Sequence, residues 1–308
     1  MPDDVFIREF ESLGPAAMAR AHSWDVRGVY RRRKGVEGRV KRTLVVPDEQ
    51  KRIVEPIRYP GRINVSLQHA TVLVASDCHY WPGDTPFMHK ALVRMCKELR
   101  PSIVILNGDV FDGAAVSRHP PMGWDKVPDV QPEIEACQEH LFEIEQAAGK
   151  ARKIWTLGNH DQRFERSIAV GNPKFRGVKG TSLKDHFPLW EPAWSVMVND
   201  HTQVKHRQAG GVHANYNNTL KSGVSMVTGH LHSANVYGLT DLRGTRFACD
   251  TGCIADPWGP QFEYLEDSTR NWREGFAVLT FRNGALLPPE LVLRWGDSVV
   301  FRGAVTHV

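Results

Sequence analysis

No run of about 18 apolar residues occurs anywhere in the 308 residues, so no segment reads as a membrane-spanning helix. The opening Met1-Pro2-Asp3-Asp4 is acidic and has no apolar stretch behind it, which argues against a secretory leader. Cysteine is scarce: there are five, an odd number without paired spacing, and the nearest two, Cys249 and Cys253, do not form a thiolate metal motif. That usage fits a reducing compartment, and a cytoplasmic location is expected. Internal repeats and low-complexity tracts are also absent, which excludes solenoids and fibres. What remains, with 41% hydrophobic and 24% charged residues, is an ordinary globular chain.

The formal charge of +4 is unevenly distributed. Residues 1–60 hold 13 basic and 9 acidic side chains, so the rest of the chain, with 26 of each, is neutral. Residues 26–42 contain Arg27, Arg31, Arg32, Arg33, Lys34, Arg39, Lys41 and Arg42 against Glu37 alone, a patch suited to phosphate backbones.

Residues 5–37 predict short helices over Val5–Leu13, Pro15–His22 and Asp25–Gly35, punctuated by Gly14-Pro15 and by Ser23 or Asp25 as an N-cap. Residues 38–70, broken by Pro47, Pro56, Pro60 and Gly61, predict a linker with at most an edge strand. From residue 71 the pattern alternates. Strands are expected at Thr71–Ala75, Ile103–Leu106, Lys153–Leu157 and Val224–Thr228, and helices at Pro86–Leu99 and Glu133–Ala148. Hairpin strands are expected at Val196–Val198 with Gln203–Lys205, and at Phe276–Phe281 with a last strand Leu291–Trp295. The fold class is α/β: two mixed β-sheets in a sandwich flanked by helices, plus a small N-terminal helical module. The domain division reads 1–37 basic module, 38–70 linker, 71–285 catalytic domain, and 286–308 C-terminal strand and tail.

Polar side chains gather just past the predicted strand ends, where α/β proteins place their sites. Ser76-Asp77-Cys78-His79 follows the first strand, Asn107-Gly108-Asp109-Val110-Phe111-Asp112 the second and Gly158-Asn159-His160-Asp161 the third. Lys205-His206 follows the hairpin strand, and Gly229-His230-Leu231-His232 follows the late one. Carboxylate, imidazole and amide oxygen together suit manganese, iron, zinc or nickel better than calcium. Asp77 with His79, and His230 with His232, alternate as in an extended segment and so face one side. Asp109 offers one oxygen to each of two ions, and such a pair clamps a phosphoryl group and acidifies a bridging water. Glycines 108, 158 and 229 are expected to permit sharp turns there.

The series D-x-H, G-D-x-x-D, G-N-H-D, a strand-end His, then G-H-x-H resembles the calcineurin-like metallophosphoesterases over residues 71 to about 285. The resemblance implies Asp77, His79, Asp109 and His232 around one divalent ion, and Asp109, Asn159, His206 and His230 around the other, with manganese favoured. It implies His160 as the group that protonates the leaving oxygen or stabilises charge at the phosphate, with Asp161 beside it, and Asp112 and Asp161 orienting their neighbours. The fourth motif departs from the family's His-Gly: Arg207 follows His206, and His213 competes for the role. His206 is preferred because it ends a strand, while His213 opens a helix, and Arg207 is a candidate phosphate holder.

Other side chains carry weaker signals. Cys78 should point into packing, and His89, His119, His140 and His186, outside any motif, read as surface or core. Arg118, His119 and the basic insert Gln162–Trp190 could rim the site, and Trp124 could stack on a base. Ala16–His22, a turn at Ser23–Asp25 and Val26–Arg33 resemble a helix-turn-helix, with Arg27, Tyr30, Arg31, Arg32, Arg33 and Lys34 towards nucleic acid, DNA before RNA. The bland alternative is a basic solvated helix. The expected function is a nucleic-acid phosphodiesterase or nuclease of phage type. The alternatives are a small-molecule phosphomonoesterase and a non-catalytic DNA-binding protein on the same scaffold. A Ser/Thr protein phosphatase fits less well, because Gly113 follows Asp112 directly and Asp161 stands where those enzymes carry Glu.

Overall fold

The computed structural model describes residues 1–46, 59–119 and 127–308, so Trp124 and the middle of the expected linker lie outside the described residues. The chain forms two compact units, Met1–Ile57 and Arg58–Val308.

In the first unit, α1 (Asp3–Ala21) is broken at Gly14, whose φ of 74° is left-handed and cheap only for glycine. The break falls at the predicted Gly14-Pro15 boundary. Helix α2 (Val26–Val40) runs a turn beyond the expected end at Gly35 and closes on Lys41 in the left-handed region. Val29 and Val36, two turns apart, continue its apolar stripe through Gly35 and pack with Phe6, Phe10, Met18 and Leu44. Asp25 is the N-cap by position, but its side chain makes no capping bond.

The second unit is built on two mixed sheets. One runs β1–β6–β7–β8–β10–β9, with β1 Ile63–Val65, β6 Val196–Val198, β7 Thr202–Val204, β8 Ser225–Thr228, β9 Asn235–Asp241 and β10 Gly244–Asp250. The other runs β15–β14–β13–β11–β2–β3–β4–β5, with β12 (Ala285–Leu286) paired to β11. Its strands are β2 Ala70–Ala75, β3 Ile103–Asn107, β4 Arg152–Thr156, β5 Glu191–Ala193, β11 Gly275–Arg282, β13 Glu290–Trp295, β14 Ser298–Phe301 and β15 Ala304–His307. Strands β2 to β5 are mutually parallel, so their carboxyl ends share one edge.

The period-2 alternation of the strands explains the layering. Val72, Val74, Ile103, Ile105 and Ile154 turn inward and meet Val196, Val198, Val204 and Val227 of the other sheet. Leu73, Ala75, Val104 and Leu106 turn outward under α3 (Phe87–Leu99) and α4 (Val130–Ala148), which cover them with Met88, Leu92, Met95, Cys137, Leu141 and Ile144. After them come α5 (Asp161–Gly171), the single turn α6 (Leu183–His186) and α7 (Ala214–Ser222), the last of which lies on β8 and β10 of the six-stranded sheet.

Three expectations need correcting. The linker region contributes β1, which pairs in parallel with β6. The β9–β10 hairpin was not foreseen, because β9 is largely exposed and its alternation is weak. The terminal tail is also a strand pair: β14 pairs with β13 and β15 with β14, turning at Arg302-Gly303 in left-handed backbone. Val299 on β14 is buried in the same core as Val292. Truncation after Trp295 is therefore expected to destabilise this unit by at least about 2 kcal/mol, the scale of one buried valine plus its ladder bonds. Urea unfolding would measure it, and an unchanged midpoint would mark the hairpin as an appendage.

Candidate metal centre

The parallel edge of β2, β3 and β4 and the ends of β7 and β8 deliver all five motifs to one place. Asp77 and Asp109 are nearly or fully buried there, with His206 and His232 lodged against them. His206 Nε2 lies 3.0 Å from Asp109 Oδ2, and His232 Nε2 lies 3.0 Å from Asp77 Oδ1. Three groups of side chains here offer ligand atoms within 4.8 Å of one another: Asp77, His79 and His232; Asp109, His206 and His230; and His79, Asp112 and His160. The competitor His213 is exposed at the start of α7, away from these carboxylates in burial and setting.

The expected extended alternation is not how the pairs are aimed. Asp77 (φ 54°), His79 (φ 41°), Asp109 (φ 51°), His230 (φ 73°) and His232 (φ 56°) are all left-handed, a conformation that non-glycine residues rarely adopt. Each pair turns in left-handed backbone past its strand end; Asp77 and His79 still bring ligand atoms within 4.8 Å of each other, whereas His230 and His232 reach different groups. The glycines also divide by role. Gly108 has φ 83° and faces the His206 ring, whereas Gly158 and Gly229 have no left-handed turn. At those two positions a Cβ would strike the Asp109 carboxylate or, at 2.6 Å, Asp77 Oδ2, so close approach is the constraint.

Hydrogen bonds fix each ring. Asp112 Oδ1 accepts from His79 Nδ1 at 2.7 Å and from His160 Nδ1 at 2.9 Å, which leaves His79 Nε2 to face the centre, while His160 Nε2 accepts from Arg163. His206 Nδ1 donates to the Asn107 carbonyl at 2.7 Å. Asp77 Oδ2 accepts from the His230 amide at 2.8 Å, and Asp109 Oδ1 from the His160 amide at 2.8 Å. Among the described residues, His79 Nε2, His206 Nε2 and Asn159 Oδ1 are buried with no well-formed hydrogen bond. Buried polar atoms normally have partners, so these three mark where a further positive or donor group fits.

The electrostatics agree. Burial alone would raise Asp77, but the His232 and His206 imidazoles hold it at about 2. Burial would depress His206, yet the facing Asp109 and Asp77 carboxylates push it up to about 10. An imidazolium thus stands where the two carboxylates call for a cation. His160 is also held above its ordinary value, because Asp109 and Asp112 outweigh its burial.

Of the two expectations for Asp161, beside the acid and orienting its neighbours, the geometry matches the second. Its carboxylate is fully buried and accepts from the amides of Asp109 (2.9 Å), Val110 (3.0 Å), Phe111 (3.1 Å) and Gly158 (2.7 Å). Trp155 Nε1 adds a fifth donor at 3.0 Å. Nothing of it is left for substrate; it folds the second motif against the third. Asp161→Ala is expected to cost more than about 3 kcal/mol, because several buried N–H donors lose a charged acceptor at once. Urea unfolding followed by Trp155 fluorescence would check it.

Several supporting residues carried no sequence signal. Ser76 Oγ bridges the Asp77 carboxylate and Thr251 Oγ1 (2.6 Å), and Trp272 packs on His232 with ring centroids 4.1 Å apart. Both partners come from distant segments. Arg163 donates to His160 Nε2 at 3.1 Å and to the Asp112 carbonyl at 2.9 Å; its place three residues after His160 on α5 (Asp161–Gly171) was the available clue. Arg118, His119, Arg163, Arg166 and Arg207 line a cleft of about 640 Å³ that reaches Asn159. Cys78 is buried in the core, as expected.

The basic module needs a second correction. Arg32 sits over the rings of Phe6 and Trp24 and bonds the Met1 carbonyl, and Arg33 pairs with Glu37 at 2.7 Å and lies over Phe10. Their stems serve the unit's own core. Arg27, Tyr30, Arg31 and Lys34 are exposed, at the 3–4–7 spacing of one helix face.

The family model for calcineurin-like phosphoesterases matches residues 70–250. The gene 54 proteins of Mycobacterium phages L5 and D29 are each 24% identical over 261 residues, covering 77% of this chain and 98% of theirs. Among solved structures, a protein serine/threonine phosphatase from Saccharomyces cerevisiae aligns at 10% identity and TM-score 0.35, over 71% of this chain and 76% of that one. With the motifs assembled at one edge of a two-sheet sandwich and more than half its length matched, the chain belongs to the calcineurin-like phosphoesterase family.

Proposed function

We propose that this protein is a metal-dependent phosphodiesterase acting on nucleic acid. The observation that carries the reading is the arginine-lined cleft beside Asn159 and His160. One monoester phosphate is satisfied by one or two guanidinium groups. Four arginines along a groove suit a chain of phosphates, each held as a planar, two-pronged contact. The curated relatives being phage proteins agrees with the reading without carrying it.

Asp77, His79, His232 and Asp109 would hold one divalent ion, and Asp109, Asn159, His206 and His230 the other. The unpartnered His79 Nε2, Asn159 Oδ1 and His206 Nε2 fit that role, and the oxygen–imidazole donor set favours manganese, with iron, zinc and nickel as competitors. When bound, the ions supply Lewis-acid activation of water and of the phosphoryl oxygens. The chain's own groups do the rest. Asp112 orients both His79 and His160; when substrate draws Arg163 from His160 Nε2 onto a phosphate oxygen, that nitrogen is released to carry the proton given to the leaving oxygen. Arg27, Tyr30, Arg31 and Lys34 form the exposed face through which the N-terminal unit would meet DNA.

The first test is manganese-dependent hydrolysis of a bis-aryl phosphodiester, an aryl monoester, and single- and double-stranded DNA. Diester and DNA cleavage are expected, falling to background in Asp109→Asn and by about 10²–10⁴-fold in His160→Ala. Arg166→Ala with Arg207→Ala should weaken DNA turnover and lower its salt slope by about two while sparing the small diester. Monoester activity alone would redirect the reading to small phosphorylated substrates. Stoichiometric DNA binding without hydrolysis would favour the binding-protein alternative.

A second test uses protons. His206, raised to about 10 in the metal-free protein, must lose its proton to become a ligand, so metal loading near neutral pH is expected to release about one proton from it. Calorimetry in buffers of different ionisation enthalpy reads this directly, and zero release would contradict the assignment. The linked stability has a definite sign. The contribution of a raised imidazole is fully present below its ordinary 6.5 and is lost as pH rises through about 10. For Asp77, lowered to about 2, the contribution is present above 3.8 and lost as pH falls through about 2.

A further inference from the structure

A second cluster of metal-capable side chains lies between α3 and α4, outside every motif. His89, fully buried, comes from the first turn of α3; His140 and Glu143, three residues apart on α4, share one helix face. One ligand atom from each lies within 4.8 Å of the other two, and the imidazole centroids of His89 and His140 are 4.6 Å apart.

Both rings are held from behind by an oxygen. His89 Nδ1 is 2.8 Å from the Tyr80 hydroxyl, and His140 Nε2 is 3.0 Å from the Asp84 carbonyl. The carbonyl can only accept, so His140 carries its proton on Nε2, and its Nδ1 is a bare lone pair. That Nδ1 is buried in a residue 4% exposed and has no hydrogen-bond partner among the described residues. A His–Glu hydrogen bond, His89 Nε2 to Glu143 Oε2 at 2.8 Å, accounts for the other two side chains without an ion. It leaves His140 Nδ1 unexplained, and a buried acceptor without a donor is costly and rare.

We propose that His89 Nε2, His140 Nδ1 and the Glu143 carboxylate form a mononuclear site for a zinc-class divalent cation, separate from the phosphoesterase centre and independent of the function proposed for it. Two imidazoles and a carboxylate, each imidazole backed by an oxygen, match zinc's preferred donors and the outer-shell bonds that fix its ligands. Ligand atoms around a tetrahedral zinc stand about 3.3 Å apart, so closing the cluster needs only a small contraction. Glu143 is the exposed member, which leaves a water to complete the shell. On loading, the His89 ring keeps one proton, now on Nδ1 and donated to the Tyr80 oxygen. Burial already holds His89 below its ordinary value, in the neutral form a metal needs. An ion here would tie α3 to α4 and pin Tyr80, the residue after His79.

The test uses metal-stripped full-length protein titrated with Co²⁺, read by visible d–d absorption, equilibrium stoichiometry and melting temperature. In Asp77→Asn/Asp109→Asn, where the dinuclear centre has lost both central carboxylates, one equivalent of tetrahedral Co²⁺ is expected to remain and to raise the melting temperature. Adding His140→Gln should abolish that signal. Glu143→Gln, at an exposed position that the fold tolerates, should weaken binding by at least about tenfold. In the otherwise wild-type chain the same two substitutions should remove one equivalent and spare the rest, which keeps the test decisive if the double variant misfolds. A cobalt stoichiometry that His140→Gln does not lower by one equivalent, whatever the wild-type total, overturns the site.

Discussion

Two carboxylates, Asp77 and Asp109, are withdrawn from water where the two sheets meet, and most of the site's architecture answers that one constraint. An ionised carboxylate is costly to bury unless it is paired and hydrogen-bonded. Here the backbone supplies part of the compensation through the His230 and His160 amides, and the His232 and His206 rings supply more. The rise of His206 to about 10 measures the shortfall: the field is negative enough to charge a histidine that burial would otherwise neutralise. A divalent cation held here would answer the same field with more charge, and the His206 ring would then be free to lose its proton and serve as a neutral ligand.

The constraint extends into the backbone. Holding side chains from five loops around a centre this small forces Asp77, His79, Asp109, His230 and His232 into left-handed conformations. Such strain persists only where surrounding structure over-determines it. Asp161 is the clearest over-determining group. By gathering the amides of Asp109, Val110, Phe111 and Gly158, it locks the second motif's coil to the third. Its own carboxyl rises to about 6, because burial and the neighbouring Asp109 charge outweigh those donors. The same residue therefore stabilises the loop's shape and feels the carboxylate it positions.

How much of this the sequence discloses depends on the range of the interaction. Strands β2, β3 and β4 and helices α3 and α4 are legible within a residue or two at their carboxyl ends, because local alternation and amphipathic period encode them. The candidate ligands are legible because each directly follows such a strand. The coiled geometry of the D-x-H and G-H-x-H segments is not legible, since spacing alone cannot separate an extended alternation from two left-handed turns. Trp272 on His232 and Ser76 with Thr251 are invisible for a different reason: they join segments that only the folded sheets bring together. His89 and His140 were set aside as background because nothing local links residue 89 to residue 140, although the His-x-x-Glu spacing on α4 was there to be read.

Charge shows the same limit in another form. By counting, the basic excess belongs wholly to the first 60 residues, and the remainder is neutral. In the folded N-terminal unit much of that excess is internal. Arg33 pairs with Glu37, Arg39 with Asp3 and Arg42 with Glu11, while Arg32 lies over aromatic rings. In the neutral remainder, folding instead collects Arg118, Arg163, Arg166 and Arg207 along one cleft, while acids such as Glu98, Glu191 and Asp241 stay occupied in pairs elsewhere on the surface. A polyanion responds to the local potential over a Debye length of about 8 Å, not to the sum over a segment. In the proposed reading, recognition of a phosphate chain falls first to the four arginines gathered along the cleft, and the exposed Arg27, Arg31 and Lys34 offer a second basic surface.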